Sequence, residues 1–167
     1  ADLINDVKAK TNGSVFTVAY VARKAISAGS LISLACRQIV MRDSTTLGDC
    51  QAIQINPAEQ TMKPAPEKVQ TFVRVLMRKY AQSNGYPESL CEAMVDPEME
   101  VYRVTFADGS VNYLADRDYA ELPEARKAGA EKRLIVAKGQ LLTMSAKEAE
   151  EYGFSRATVS GIDEAIA

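Results

Sequence analysis

Apolar residues recur along the chain in three rhythms, and each rhythm predicts a different element. Leu3, Ile4 and Val7 share one helical face in "DLINDVKAK", and "TNGS" stops that helix. The run "SVFTVAYVA" (14–22) is short, rich in Val, Phe and Tyr, and bounded by turn residues, which predicts a buried strand. Residues 28–37, "AGSLISLACR", are apolar on nearly every face, as suits a short helix packed inside the protein. "QIVMR" (38–42) then predicts a second strand and "DSTTLGD" a loop. Strand, interior helix, strand is the order of a parallel βαβ crossover in a layered α/β core.

Downstream the rhythm changes. Residues 51–64 have weak periodicity and contain Pro and Gln, so a mobile surface loop is expected there. From Pro66 to Gln82, Val69, Phe72, Val73, Leu76 and Tyr80 recur at steps of three and four. They predict an amphipathic helix with a proline in its first turn, its core-facing side on those residues, and a glycine stop at "SNG". "ESLCEAMV" (88–95) adds a shorter helix. Residues 100–115 alternate around Asp108-Gly109, a strong hairpin signal. The charged, alanine-rich stretch 118–133 predicts a solvated helix or loop. The tail predicts a strand, a turn, and a helix opened by a Ser145/Glu148 capping box and closed near Gly153.

Composition narrows the function classes. With 167 residues, 47% of them hydrophobic, the chain has the material for one domain over 1–167 with a real core. Twenty basic against 22 acidic residues leave a net charge of -2, and no long run of one sign invites a nucleic acid. No apolar stretch approaches the roughly 20 residues of a membrane span, and residues 1–14 lack the layout of a signal peptide, so the chain as given reads as soluble. Cys36, Cys50 and Cys91 are odd in number and widely spaced, which fits idle buried thiols and no metal site. The decisive count is zero histidine. It removes Ser-His-Asp and Cys-His catalysis, H-E-x-x-H metal sites and histidine proton shuttles together. Acid–base chemistry is left to Lys, Asp, Glu, Tyr or Cys, and no cofactor is implied.

Within "AISAGSLISLA" (25–35), Ser27 admits two readings. A serine at the start of a helix is commonly an N-cap whose hydroxyl accepts a backbone N–H. A nucleophile in that place gains from the positive end of the helix dipole and from N–H groups able to hold an oxyanion, and Ala28 and Gly29 leave room for a substrate.

The segment "VAYVARKAISAGSLISLACRQIVMRDSTTLG" (18–48) resembles the core of the ClpP-class membrane-bound serine proteases, the NfeD group, in which a strand leads into S-A-G, an apolar helix and a short strand. "EKVQTFVRVLMRKYAQSNG" with "EAMVD" is similar to the helix pair of that group, and "KGQLLTMSAKEAEEYGFS" to its ending. The resemblance implies an α/β, ClpP/crotonase-like layered fold with parallel crossovers and an added hairpin. It also implies a Ser-Lys dyad: Ser27 as nucleophile, Lys68 in "PEKV" as general base, and the oxyanion and substrate beside Ala28 and Gly29. Implied partners are peptide or protein substrates, apolar stretches of stomatin-like proteins, and further copies of the chain in a homo-oligomer. The family is membrane-bound with its protease domain on the extracytoplasmic side.

Physical chemistry adds its own expectation for Lys68. A lysine must be neutral to accept a proton, and its ordinary pKa of about 10.4 opposes that. The first turn of a helix disfavours a positive charge, and burial of neighbouring Phe72 and Val75 would desolvate the amine. Lys24, Lys63 and Lys79 compete for the role; Asp43 and Asp49 near the loop are candidates to orient a base, with surface solvation as the plainer reading. The family supplies a second oxyanion donor from a glycine pair after an upstream strand, which does not precede the first helix here, and Gly13 cannot replace it. The expectation is therefore a protease domain truncated at its N-terminus, with a catalytically inactive scaffold as the alternative. Cys50 and Gln51 stand where the family favours small residues. Ser30 stands where alanine is commoner, and with Ser33 it reads as helix-interior packing.

Overall fold

The computed structural model describes residues 15–56 and 61–166, so the helix expected over residues 3–9 lies outside the described residues. The first strand forms as β1 (Val18–Val21), and "QIVMR" forms β3 (Gln38–Arg42), paired with it in parallel. Ile39, Val40 and Met41 are all buried, the continuous apolar run expected of a central parallel strand. β11 (Ser155–Val159) joins the other side of β3, also in parallel, to give the order β1-β3-β11. Among the described residues β1 is thus an edge strand: Val18 is 47% exposed and, of the four, Val21 alone is buried, so the strand expected to be buried is half-covered.

Between β1 and β3 the chain passes through β2 (Lys24–Ile26), Ser27 and α1 (Ala28–Leu34). β2 leaves the first sheet and pairs in parallel with β4 (Thr46–Gly48). The antiparallel β10 (Thr143–Ser145) covers the other side of β4. Leu34 is fully buried and the crossover stands, but Ile32 is 47% exposed, so α1 lies at the margin of the core rather than inside it.

Residues 51–64 were expected as a loop and instead hold an antiparallel hairpin, β5 (Ile53–Asn56) and β6 (Thr61–Pro64). Among the described residues it pairs with no other strand and is largely exposed, which is why no periodicity of burial marks it in the sequence. The long helix α2 (Glu67–Asn84) begins after Pro66, which is its N-cap rather than part of its first turn, and ends on left-handed Gly85 (φ 78°). α3 (Glu88–Ala93) packs against it, with Leu90, Cys91 and Ala93 fully buried. Glu92 is buried between them, 2.7 Å from Arg78 and 3.2 Å from Arg117.

The hairpin of 100–115 forms as β7 (Val101–Thr105) and β8 (Val111–Ala115), and β9 (Glu131–Val136) adds a third strand against β7. The charged stretch before β9 holds two short helices without a buried residue, α4 (Asp116–Ala120) and α5 (Glu124–Lys127). α6 (Ala146–Glu151) opens with the foreseen capping box, Ser145 and Glu148 each bonding the other's backbone, and α7 (Ile162–Ile166) ends the described chain. Among the described residues no helix is long and apolar enough to cross a membrane.

The core-facing side of α2 differs from expectation. Gln70, Met77, Tyr80 and Ala81 are buried, Val73 and Leu76 pack partly, and Val69, Phe72 and Val75 are 43%, 62% and 52% exposed. The helix carries two adjacent apolar stripes. Contacts with α1 and α3 select the one ending in Met77, Tyr80 and Ala81. Gln70 can enter that side because its amide finds backbone carbonyls there, at Ala52 (2.8 Å) and Ala65 (3.3 Å).

Candidate active site

At the junction of β2 and α1, Ser27 has φ 57° and ψ -125°. For a residue with a side chain this backbone is strained by roughly 1–3 kcal/mol, and it persists only where surrounding contacts over-determine it. The contacts are present. Ser27 N–H donates to the Asp49 carbonyl at 2.7 Å, and the Ser27 carbonyl accepts from Ser30 N–H at 3.0 Å and from the Cys50 thiol at 3.0 Å. Burial, aided by the Asp49 carboxylate, pushes the Cys50 thiol up to about 11, so near neutral pH it keeps the proton it donates.

The strain turns the side chain outward. The Ser27 hydroxyl makes no capping hydrogen bond, so the N-cap reading does not hold, and Ser27 and Ala28 are both exposed. Because Asp49 consumes the Ser27 N–H, the N–H groups left without an acceptor among the described residues are those of Ala28 and Gly29. A sharp strand-to-helix turn that presents a serine hydroxyl beside free N–H groups is a recurrent device for exposing a nucleophile.

Beneath the turn lies a knot the sequence did not suggest. The Ser30 side chain, fully buried, is 2.7 Å from the Ala25 carbonyl, 2.6 Å from the Gly48 carbonyl, and accepts the Gly48 N–H at 3.0 Å. Gly48 has φ 144°, and a Cβ there would lie 2.3 Å from the Leu142 carbonyl oxygen. Only glycine lets β4 and the β10 entry approach so closely.

Lys68 is the second residue of α2 and is exposed. Phe72 and Val75, expected to desolvate it by their burial, are exposed themselves and provide no such shield in this chain. A different link connects its helix to the serine turn: Gln70, two residues further on, bonds the carbonyl of Ala52, two residues past the Cys50 that bonds Ser27. Of the competing lysines, Lys24 lies on β2, Lys63 on β6 and Lys79 on α2, its amine 5.6 Å from the Tyr80 ring centroid. Asp43 and Asp49 are exposed, as the plainer reading held. The thiols of Cys36, Cys50 and Cys91 are free and buried, though that of Cys50 is not idle. Ser30 is buried in α1 as the packing reading expected, but its bonds to Ala25 and Gly48 were not foreseen, and Gln70 was not singled out; a polar residue interrupting an apolar run is the signal each gives.

The parallel β1-β3-β11 sheet, the β2–β4 pairing and the helix between them define a mixed α/β fold with parallel strand segments. More narrowly, the chain belongs to the NfeD1b family, whose N-terminal domain matches residues 2–125. Its fold is similar to that of a membrane-bound stomatin-specific protease, 1510-N. A lysine-to-alanine variant of that protein with a substrate peptide aligns with a TM-score of 0.58 at 18% identity, covering 89% of this chain and 50% of that one. A serine-to-alanine variant gives the same TM-score and identity, with 89% and 53% coverage. The 1510-N protease of Pyrococcus horikoshii, specific for a stomatin homolog, aligns with a TM-score of 0.47 at 16% identity, covering 89% and 46%. The chain spans about half the length of these proteins. No curated protein matches it.

Proposed function

We propose that the chain is a serine endopeptidase in which Ser27 is the nucleophile and Lys68 the general base. The observation that carries the reading is the Ser27 turn: a strained, exposed, uncapped serine beside the unengaged N–H groups of Ala28 and Gly29. A second support is a spacing. In the 1510-N variants the substituted lysine follows the substituted serine by the same number of positions as Lys68 follows Ser27.

In the reaction, the neutral Lys68 amine takes the Ser27 hydroxyl proton as Oγ attacks a peptide carbonyl. The resulting oxyanion is held by the Ala28 and Gly29 N–H groups. Lys68 then gives its proton to the departing amine, leaving an acyl-enzyme. Water, deprotonated by the same amine, attacks the ester, and Lys68 returns that proton to Ser27 Oγ as the acid leaves. Apolar stretches of stomatin-like, membrane-associated proteins are the substrate class, in line with the specificity named for 1510-N. Residues 1–167 act as one domain, and the exposed Val69, Phe72 and Val75 suit a homo-oligomer whose contact covers the Lys68 end of α2.

The alternative, an inactive scaffold, is favoured by one observation: the apolar residues near Lys68 are exposed and leave its amine in water. A fluorophosphonate probe separates the two readings. Labelling that is lost in Ser27→Ala and depressed in Lys68→Ala is the expected result; no labelling at any pH up to about 9 leaves the scaffold.

A further inference from the structure

We propose that Ser30 is a positioning residue for Ser27, its buried hydroxyl locking the strained turn from below. The expected loss of reactivity rests on the reading of Ser27 as nucleophile; the structural content does not.

The hydroxyl joins three elements at one atom. Its oxygen lies within hydrogen-bond distance of the carbonyls of Ala25, in the middle of β2, and Gly48, at the end of β4, and accepts the Gly48 N–H. Ala25 is two residues before Ser27. Gly48 directly precedes Asp49, whose carbonyl holds the Ser27 N–H. Ser30 itself donates its N–H to the Ser27 carbonyl. Of the restraints on the Ser27 backbone, one therefore comes from Ser30 itself and one from the residue that follows the Gly48 it holds, while the Cys50 thiol on the Ser27 carbonyl stands apart. A turn away from the ordinary backbone regions relaxes when its restraints loosen, and a serine displaced by about an ångström can lose about a hundredfold in rate.

The same helix supplies a control. Ser33 is also buried, 5% exposed, but its hydroxyl returns to the Gly29 carbonyl of its own helix at 2.8 Å and ties nothing else together. Ser30→Ala and Ser33→Ala each delete one buried hydroxyl from α1, and only the first cuts the tie to the strands.

Two readouts are compared in the full chain: amide hydrogen exchange at Ser27 and Gly48, and the rate of fluorophosphonate labelling. In Ser30→Ala both amides should exchange about tenfold faster or more, and labelling of the folded protein should slow about tenfold or more. Ser33→Ala should leave both within about twofold. Equal effects from the two substitutions would reduce Ser30 to ordinary packing and overturn the proposal. So would a folded Ser30→Ala protein in which Gly48 alone exchanges faster while Ser27 keeps its protection. Should Ser30→Ala fail to fold, Ser30→Thr, which retains the hydroxyl, must fold and protect the Ser27 amide, or the proposal falls. An unlabelled wild-type protein would count against the protease reading alone, since the amide exchange still tests Ser30.

Discussion

The two halves of the candidate dyad are built in opposite ways. Ser27 projects from a turn whose backbone is held by Asp49, Cys50 and Ser30, over a glycine that no other residue can replace. Lys68 projects from the open end of a helix whose nearest apolar side chains face solvent. The difference teaches where rigidity is needed. A nucleophile with its oxyanion donors tolerates little displacement, whereas a long lysine can swing to meet it. What the proposed base lacks among the described residues is a dry environment, since Val69, Phe72 and Val75 beside it are exposed.

The comparison can be broken most severely at Gly48. Gly48→Ala forces a Cβ to 2.3 Å from Leu142 O and 2.6 Å from Thr143 Cα. A loss of about 4 kcal/mol or outright misfolding is expected, read by denaturant unfolding. A loss below about 1 kcal/mol would show that the β4–β10 approach is soft.

Within α2 the contrast should appear along a single helix. Met77 is fully buried, and Met77→Ala should cost about 2–5 kcal/mol in denaturant unfolding. A cost below about 1 kcal/mol would mean that the C-terminal half of the helix is as loosely held as its start.

The Cys50 thiol gives the Ser27 turn a pH signature. Its folded value is raised from 9.0 to about 11, chiefly by burial. The unfolded chain ionises this thiol first, so the contribution is complete below pH 9 and is lost as pH rises from 9 towards 11. The stability advantage of the wild type over Cys50→Ala should shrink across that window by at most about 2 kcal/mol. An advantage that is flat with pH would mean the thiol is not protected in the fold.

The smallest effect is expected at the open end. Phe72→Ser should change monomer stability by no more than about 0.5 kcal/mol, because the ring is 62% exposed. A thermal midpoint that drops only at high protein concentration would instead reveal that a second copy covers the ring.

Much of the fold was legible because local chemistry and tertiary need agree. β3 follows its apolar run, the Asp108-Gly109 hairpin forms around left-handed Gly109, and the Ser145/Glu148 capping box is made in both directions. Where they diverge, the sequence misleads. The β5–β6 hairpin is exposed on both faces, so no alternation announces it. α2 buries Gln70 in place of Val69, with two backbone carbonyls accepting from its Nε2 while its Oε1 is buried without a partner. At the candidate site, the strand-to-helix turn at Ser27, Ala28 and Gly29 was legible from small residues opening a helix. Ser30 was not, because its partners lie at Ala25 and Gly48, on two strands that meet only in the folded chain.

By itself the sequence determined which chemistry was open to this protein: without histidine, a serine hydrolase must find its base among the lysines and acids. It also determined the strand–helix–strand order around Ser27, since apolar runs and turn residues act over a few positions. The tertiary structure alone decided that the Ser27 backbone is strained and its hydroxyl uncapped, that the Ser30 hydroxyl meets Ala25 and Gly48 on two strands, and that Phe72 and Val75 are exposed. The reason is physical: strain, hydrogen-bond satisfaction and burial depend on which distant segments come together, and no local pattern records that.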